Sequence, residues 1–138
     1  MLFRSLEIAQ AADFIRELPE GLDAHVAQGG TNFSGGQKQR LAIARAIARK
    51  SSIYVFDDSF SALDAATDAR LRQALLAHTR ESTVLLVAQR VSSVINAERI
   101  IVLDDGRIVG MGTHHELLHT CETYQEIVAS QQTAEALS

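Results

Sequence analysis

The group of residues best suited to chemistry is a serine, two glycines and a glutamine in a row: Ser34, Gly35, Gly36 and Gln37. They stand at the predicted start of a helix, where backbone N–H groups lack intrahelical partners and the helix dipole is positive. The glycines leave room for a ligand to approach the backbone. The pattern therefore predicts an anion site, typically for phosphate. The alternative is a helix cap after a flexible loop.

A second pattern with chemical potential is the run from His115 to His119, which reads H-E-x-x-H. On a helix the two histidines share one face and could bind zinc, with Glu116 as a general base. Such a site also needs a third ligand and a substrate cleft, and short motifs often match by chance. We therefore favour a surface helix and keep a zinc metallopeptidase as the remote alternative.

The elements that must position these residues begin with two predicted helices. Helical spacing of apolar residues predicts an amphipathic helix over residues 5–18, and Pro19 ends it. A loop rich in glycine, asparagine and threonine follows over residues 21–33. The second helix begins at Ser34 and runs to about residue 50.

Three apolar runs, at residues 53–56, 84–88 and 100–103, are predicted to be strands. Their residues do not alternate in polarity, so we expect parallel strands that are buried on both faces. A predicted helix over residues 64–79 lies between the first two runs, which is the order of a βαβ crossover. The sequence therefore predicts an α/β domain.

The C-terminal part is predicted to be a hairpin followed by helices. A turn at residues 104–107 leads into an antiparallel edge strand at residues 108–111. Two short helices follow, near residues 114–119 and 124–131, and we expect the tail, residues 132–138, to be frayed.

Composition sets limits on the class of protein. The chain has 138 residues, 46% of them hydrophobic, a net charge of −4 and one cysteine, Cys121. This length suits a single domain with a real core. The acidic balance argues against a nucleic-acid binder, and a lone cysteine excludes an internal disulfide. No apolar run approaches the roughly 20 residues of a membrane helix.

The order and spacing of these motifs resemble those of the ATP-binding domains of ABC (ATP-binding cassette) transporters, specifically of the exporter type. Residues 29–46 resemble the signature motif and the helix behind it. Residues 53–58 look like the Walker B strand, and residues 61–64, Ser-Ala-Leu-Asp, look like the D-loop. Residues 87–90 stand at the place of the switch loop, and residues 101–114 resemble the C-terminal hairpin.

The resemblance implies a partial P-loop NTPase-like α/β fold, with ATP and Mg²⁺ as cofactors. Ser34, Gly35, Gly36 and Gln37 would contact a nucleotide held by a partner domain, and Ser61 and Asp64 would belong to the D-loop. We expect a helical subdomain over residues 1–50 and the strand region over residues 51–131.

The resemblance also assigns the residues of the chain's own hydrolytic site. Asp57 would hold Mg²⁺ through water; the lesser alternative, on chain position alone, is an N-cap of the next helix. Asp58 stands where the family has a glutamate that polarises the attacking water, and Gln89 where it has a histidine that contacts the γ-phosphate. Both departures predict that this site hydrolyses ATP poorly.

The P-loop pattern G-x-x-x-x-G-K-[ST] occurs nowhere in the chain. We therefore expect the P-loop, the adenine-stacking aromatic residue and the membrane helices to lie upstream. The chain alone should neither bind ATP tightly nor hydrolyse it. We expect a soluble fragment that works at the cytoplasmic face of the plasma membrane. Its expected partners are a second ABC ATP-binding domain, in a heterodimer, and the transmembrane domain of an exporter, without nucleic acid.

Two other functions remain open at this point. An ABC ATPase of DNA repair or chromosome maintenance shares the signature motif, but the chain lacks coiled-coil heptads and a basic surface. A truncated product, inert or regulatory and without catalysis, would account equally well for the missing P-loop.

Overall fold

A computed structural model describes residues 2–136 and contains mixed helices and strands. Helices and strands are numbered here in chain order. They are α1 (Leu2–Ile8), α2 (Ala12–Arg16), α3 (Gly35–Ala48), β1 (Ile53–Asp57), α4 (Ala65–His78), β2 (Thr83–Val87), α5 (Val91–Val94), β3 (Ile100–Asp104), β4 (Arg107–Gly112), α6 (His114–Thr120) and α7 (Glu122–Ala136). The predicted α/β class is confirmed.

The chain forms two compact units, residues 1–85 and residues 86–138. In the first unit, α1 contacts α2, α3 and α4. Its fully buried side chains include Ile43 and Ile47 on α3 and Leu71 on α4. Ile43 and Ile47 lie four residues apart on one face of α3, and the core of the first unit takes side chains from both α3 and α4.

The predicted single helix over residues 5–18 is wrong, because the structure breaks it into α1 and α2. Gln10, between them, adopts a left-handed backbone with φ of 57°. The guanidinium of Arg40, on α3, donates a 2.7 Å hydrogen bond to the carbonyl oxygen of Gln10. This contact with a residue 30 positions away stabilises the break, and no local spacing reveals it.

The prediction that the strands are buried on both faces is also wrong for β1, β2 and β3. Tyr54 and Phe56 are buried, whereas Ile53 and Val55, on the other face of β1, are 64% and 61% exposed. On β2, Val84, Leu85 and Val87 are exposed as well. On β3, Ile101 and Leu103 are exposed, whereas Ile100 and Val102 are buried. β1 and β2 pair with each other in a two-stranded sheet, and the described residues leave one face of β1 uncovered. The apolar composition of these strands therefore did not predict which of their side chains are buried.

The second unit contains the predicted antiparallel hairpin. β3 pairs with β4 from Ile100 opposite Gly112 to Asp104 opposite Arg107. Asp105 and Gly106 both have positive φ, at 45° and 73°, which is the backbone of a type I′ turn. The core of this unit comprises Ile100, Val102, Leu117, Cys121 and Tyr124.

The C-terminal helix is longer than predicted. α7 continues through Ala136, so the part of the expected frayed tail that the structure describes is helical. Residues 137 and 138 lie outside the described residues. No helix in residues 2–136 is long and apolar enough to cross a membrane.

Candidate functional site

The signature segment, residues 34–37, forms the N-terminal cap of α3. Ser34 Oγ accepts a 3.2 Å hydrogen bond from the Gln37 backbone N–H, and the Ser34 N–H donates to Gln37 Oε1 at 2.9 Å. This reciprocal capping box satisfies two groups that the helix end would otherwise leave open. Lys38 N–H donates to the Ser34 carbonyl oxygen. In residues 2–136, no acceptor contacts the N–H groups of Gly35 and Gly36.

These two N–H groups belong to a segment that lines an open pocket of about 370 Å³. Its walls come from the start of α3, from residues 62–64 of the D-loop segment (residues 61–64), and from Thr67 on α4. One base, Arg40, and one acid, Asp64, line it. Free backbone donors at the positive end of a 14-residue helix suit an anion.

Gly36 is the tightest point between the two walls of this pocket. A Cβ at Gly36 would stand 2.9 Å from the Ala62 carbonyl oxygen, whereas a Cβ at Gly35 would meet only Ala62 Cβ at an ordinary 3.6 Å. Only glycine at position 36 therefore allows the D-loop segment to approach α3 this closely. At position 35 the missing side chain leaves space in the pocket instead.

Asp57 is the last residue of β1 and Asp58 follows it, and both are exposed. Asp57 does not cap the next helix, because Asp64 is the N-cap of α4; this alternative for Asp57 is wrong. Asp58 adopts a left-handed backbone with φ of 47°, which aspartate tolerates better than most residues. Its carbonyl oxygen accepts hydrogen bonds from Gln39 Nε2 at 3.1 Å and from Ser61 Oγ at 3.1 Å.

The carboxylate of Asp64 accepts a 2.9 Å hydrogen bond from the Thr67 backbone N–H. Hydrogen bonds from the Thr67 backbone and side chain lower the pKa of Asp64, since they favour the charged carboxylate. Asp64 is therefore both the last residue of the D-loop segment and the residue that starts α4.

Gln89 belongs to the second unit and lies just after β2. The side-chain amide of Gln131, on α7, holds the backbone on both sides of Arg90. Its Nε2 donates to the Gln89 carbonyl oxygen at 2.7 Å, and its Oε1 accepts from the Val91 N–H at 2.8 Å. These bonds restrain the backbone of the predicted switch loop.

Comparison with known proteins decides the family. The family model described as ABC transporter matches residues 6–61. An uncharacterized ABC transporter ATP-binding protein of Mycobacterium tuberculosis is 51% identical over 130 residues, covering 94% of this chain and 22% of that protein. The solved structure of a bacterial Atm1-family ABC exporter with ATP bound superposes with a TM-score of 0.91 at 37% identity, covering 95% of this chain and 23% of that one.

The chain belongs to the ABC transporter family. Another relative, the ATP-dependent lipid A-core flippase of Photobacterium profundum, is 40% identical over 124 residues, covering 90% of this chain and 21% of the flippase. The resemblance to exporter ATP-binding domains is thus confirmed. The chain spans about a fifth of the length of these relatives.

The H-E-x-x-H run of this ABC chain has a structural role in α6. Glu116 accepts hydrogen bonds from the Thr113 N–H at 2.8 Å and from Thr113 Oγ1 at 2.9 Å, which completes a second capping box. His119 Nδ1 lies 2.8 Å from the His115 carbonyl oxygen. Among residues 2–136, no three histidine, cysteine, aspartate or glutamate side chains are placed to hold a metal ion. Nothing in this arrangement supports a metallopeptidase.

The residues that sequence reasoning missed are two glutamines, Gln39 and Gln131. Gln39 connects α3 to the D-loop segment of the ABC chain, and Gln131 connects α7 to the segment around Gln89. Their partners lie roughly 20 and 40 residues away along the chain. No short motif marks them, because a hydrogen bond over such a separation depends on the fold.

We predict that Asp64→Asn leaves stability near pH 7 almost unchanged but removes part of its acid dependence. Asparagine caps helices as well as aspartate does. Because the pKa of Asp64 is lowered in the folded state, its ionised form stabilises the fold above the unfolded pKa of about 3.9. This stabilisation is lost as the pH falls through the folded pKa. Urea unfolding at neutral and acid pH measures both effects.

Asp64→Ala is the matched control for this prediction, since it removes the cap at every pH and should lower the unfolding midpoint at neutral pH too. Equal acid sensitivity in the Asp64→Asn protein and the unchanged protein would contradict the prediction.

Proposed function

We propose that this chain is the C-terminal part of the ATP-binding domain of an ABC exporter, in which its signature segment contacts a nucleotide held by a second ABC domain. One observation carries the proposal. The N–H groups of Gly35 and Gly36 lack acceptors within residues 2–136, and their glycines line an open pocket at the positive end of α3. A phosphate brought by a partner would satisfy these donors.

The chain's own residues would act on such a phosphate through the backbone and one hydroxyl. Ser34 Oγ accepts from the Gln37 N–H, so its O–H hydrogen is available to donate outward. The side chain of Gln37 is engaged at the cap through Oε1, which leaves its Nε2 as a further donor. Donors that are held in place before the ligand arrives stabilise charge without reorganisation.

The end of β1 fits a Mg²⁺ ion that would be shared with nucleotide phosphates. Asp57 offers an exposed carboxylate at the end of a strand, and carboxylate oxygen is a ligand that this hard cation takes. A single carboxylate is consistent with contact through water, since Mg²⁺ usually keeps several waters. The ion would neutralise charge on the phosphates.

We propose further that the hydrolytic site around Asp58 is weak. The exporter would then be a heterodimer in which the other nucleotide site hydrolyses ATP faster. The side chain of Asp58 is one methylene shorter than that of glutamate, and an error of about 1 Å in position can cost about 100-fold in rate. Gln89 can donate a hydrogen bond to a phosphate but cannot carry positive charge. The partners of this chain would be a second ATP-binding domain and a transmembrane domain, at the cytoplasmic face of the plasma membrane.

Disulfide cross-linking in the full-length exporter tests contact in trans. A cysteine at position 34 (Ser34→Cys) should cross-link to a cysteine in the P-loop of the partner domain, and ATP should increase the yield. Ser130→Cys, at an exposed position on α7, is the control and should not cross-link. The native Cys121 is buried and can stay in place.

A membrane-embedded, assembled exporter that gives no cross-link from position 34 with ATP would refute the proposal. Cross-linking from position 130 at an equal yield would also count against it.

A further inference from the structure

The amide of Gln39 is the point at which α3 and the segment after β1 are joined. Its Nε2 donates to Ser61 Oγ at 2.9 Å and to the Asp58 carbonyl oxygen at 3.1 Å. Its Oε1 accepts from the Ala62 N–H at 2.9 Å. The half-buried side chain of Gln39 thus contacts three residues of one loop, Asp58, Ser61 and Ala62.

The loop that Gln39 contacts runs from the chain's own proposed hydrolytic site to the wall of the pocket. Asp58 has a left-handed backbone, and Ser61 Oγ donates back to the Asp58 carbonyl oxygen. Farther along, Ala62 forms the wall against Gly36. The bond to the Ala62 N–H therefore sets how far the D-loop segment stands from the signature segment.

We propose that Gln39 is a positioning residue that makes the signature segment and the D-loop segment a single rigid surface for the partner's nucleotide, and joins this surface to the backbone of Asp58 in the chain's own site. This inference rests on the proposed function. Gln39 does not line the pocket, so it acts through the loop and not on the nucleotide. It follows that its loss should change the rate of hydrolysis more than the binding of ATP.

The sharpest test is Gln39→Glu in the full-length heterodimeric exporter. Glutamate keeps the shape of the side chain and the acceptor for the Ala62 N–H, but it replaces the Nε2 donor with an oxygen that faces the Asp58 carbonyl oxygen. We expect kcat for ATP to fall about tenfold or more, since small displacements of a reacting surface have effects of this size. KM for ATP should stay nearly constant, because the partner's P-loop holds the nucleotide.

Two further variants separate positioning from a general loss of structure. Gln73→Glu places the same charge change on an exposed position of α4 and should leave kcat unchanged. Ser61→Ala removes Ser61 Oγ, which accepts one of the hydrogen bonds from Gln39 Nε2. If the two residues act together, the loss in the Gln39→Glu, Ser61→Ala double variant is smaller than the product of the two single losses.

An unchanged kcat in an assembled Gln39→Glu exporter overturns the inference, as does an equal loss of kcat in Gln73→Glu. If Gln39→Glu fails to assemble, Ser61→Ala decides, and an unchanged kcat there overturns it. Gly35→Ala, which alters the signature segment itself, distinguishes a failure of the Gln39 inference from a failure of the proposed function. Loss of ATPase activity in Gly35→Ala alone refutes only the role of Gln39, whereas full activity in both refutes the proposed function.

Discussion

Replacing Gly35 with alanine is expected to lower ATP hydrolysis at the partner's site about 100-fold or more while leaving the fold stable. The added Cβ meets only Ala62 Cβ at 3.6 Å, so the chain itself accommodates it. The methyl group would occupy the pocket beside the free N–H groups of α3. Losing one preorganised donor to transition-state charge typically costs about 10² to 10³ in rate. Steady-state ATPase activity of the assembled exporter, with thermal unfolding in parallel, measures both parts.

Gly36→Ala is the matched comparison, because it adds the same methyl group one residue later. Its Cβ would lie 2.9 Å from the Ala62 carbonyl oxygen, which is backbone and cannot rotate away. We expect a loss of stability of about 1–3 kcal/mol, typical of overpacking, together with a loss of activity. A stable, assembled Gly35→Ala exporter with full ATPase activity would contradict the role proposed for the signature segment.

The second large effect is expected as a gain. Asp58→Glu combined with Gln89→His should raise turnover at the chain's own site by up to about 100-fold, since it restores the reach of the carboxylate and a group that can carry positive charge. The measurement requires the full-length exporter with the partner's hydrolytic site inactivated. Under this condition the ATPase rate reports only the second nucleotide site, to which we have proposed that Asp58 and Gln89 contribute.

The control for this gain is a second double variant that keeps the left-handed backbone at position 58 but removes the carboxylate. The φ of 47° at Asp58 lies in the left-handed region, which aspartate and asparagine adopt more readily than most other residues. Asp58→Asn with Gln89→His has the same histidine but no carboxylate at position 58, so it should show no gain in turnover over the unchanged exporter. Normal assembly of the Asp58→Glu, Gln89→His exporter without any gain would show that the weakness lies elsewhere.

Local signals predicted much of the fold. Ser34, Asp64 and Thr113 are all N-caps, although only Ser34 was expected at a helix start on chemical grounds. The three apolar runs became strands within about one residue of their predicted ends. A cap and a hairpin turn involve residues that are three or four positions apart, so their types alone determine them.

For the candidate site too, the sequence predicted some features and not others. The motif spacing indicated the ABC family, and the glycines of the signature segment indicated an anion site. The roles assigned to Asp57, Asp58 and Gln89 remain predictions, since they depend on groups that other chains or segments bring. The sequence predicted that N–H groups at this helix start lack intrahelical partners, and the structure adds that, within residues 2–136, the N–H groups of Gly35 and Gly36 have no other acceptor either.

The sequence by itself thus determined the family, the three strands at the apolar runs, the C-terminal hairpin and the cap at Ser34. Only the tertiary structure decided that the helix breaks at Gln10, that one face of β1 is exposed, and that Gln39 joins α3 to the loop after β1. Each of these depends on groups about 20 to 30 residues apart or on what covers a surface. Composition reports the tendency of a side chain to be buried, but its neighbours in space decide whether it is buried.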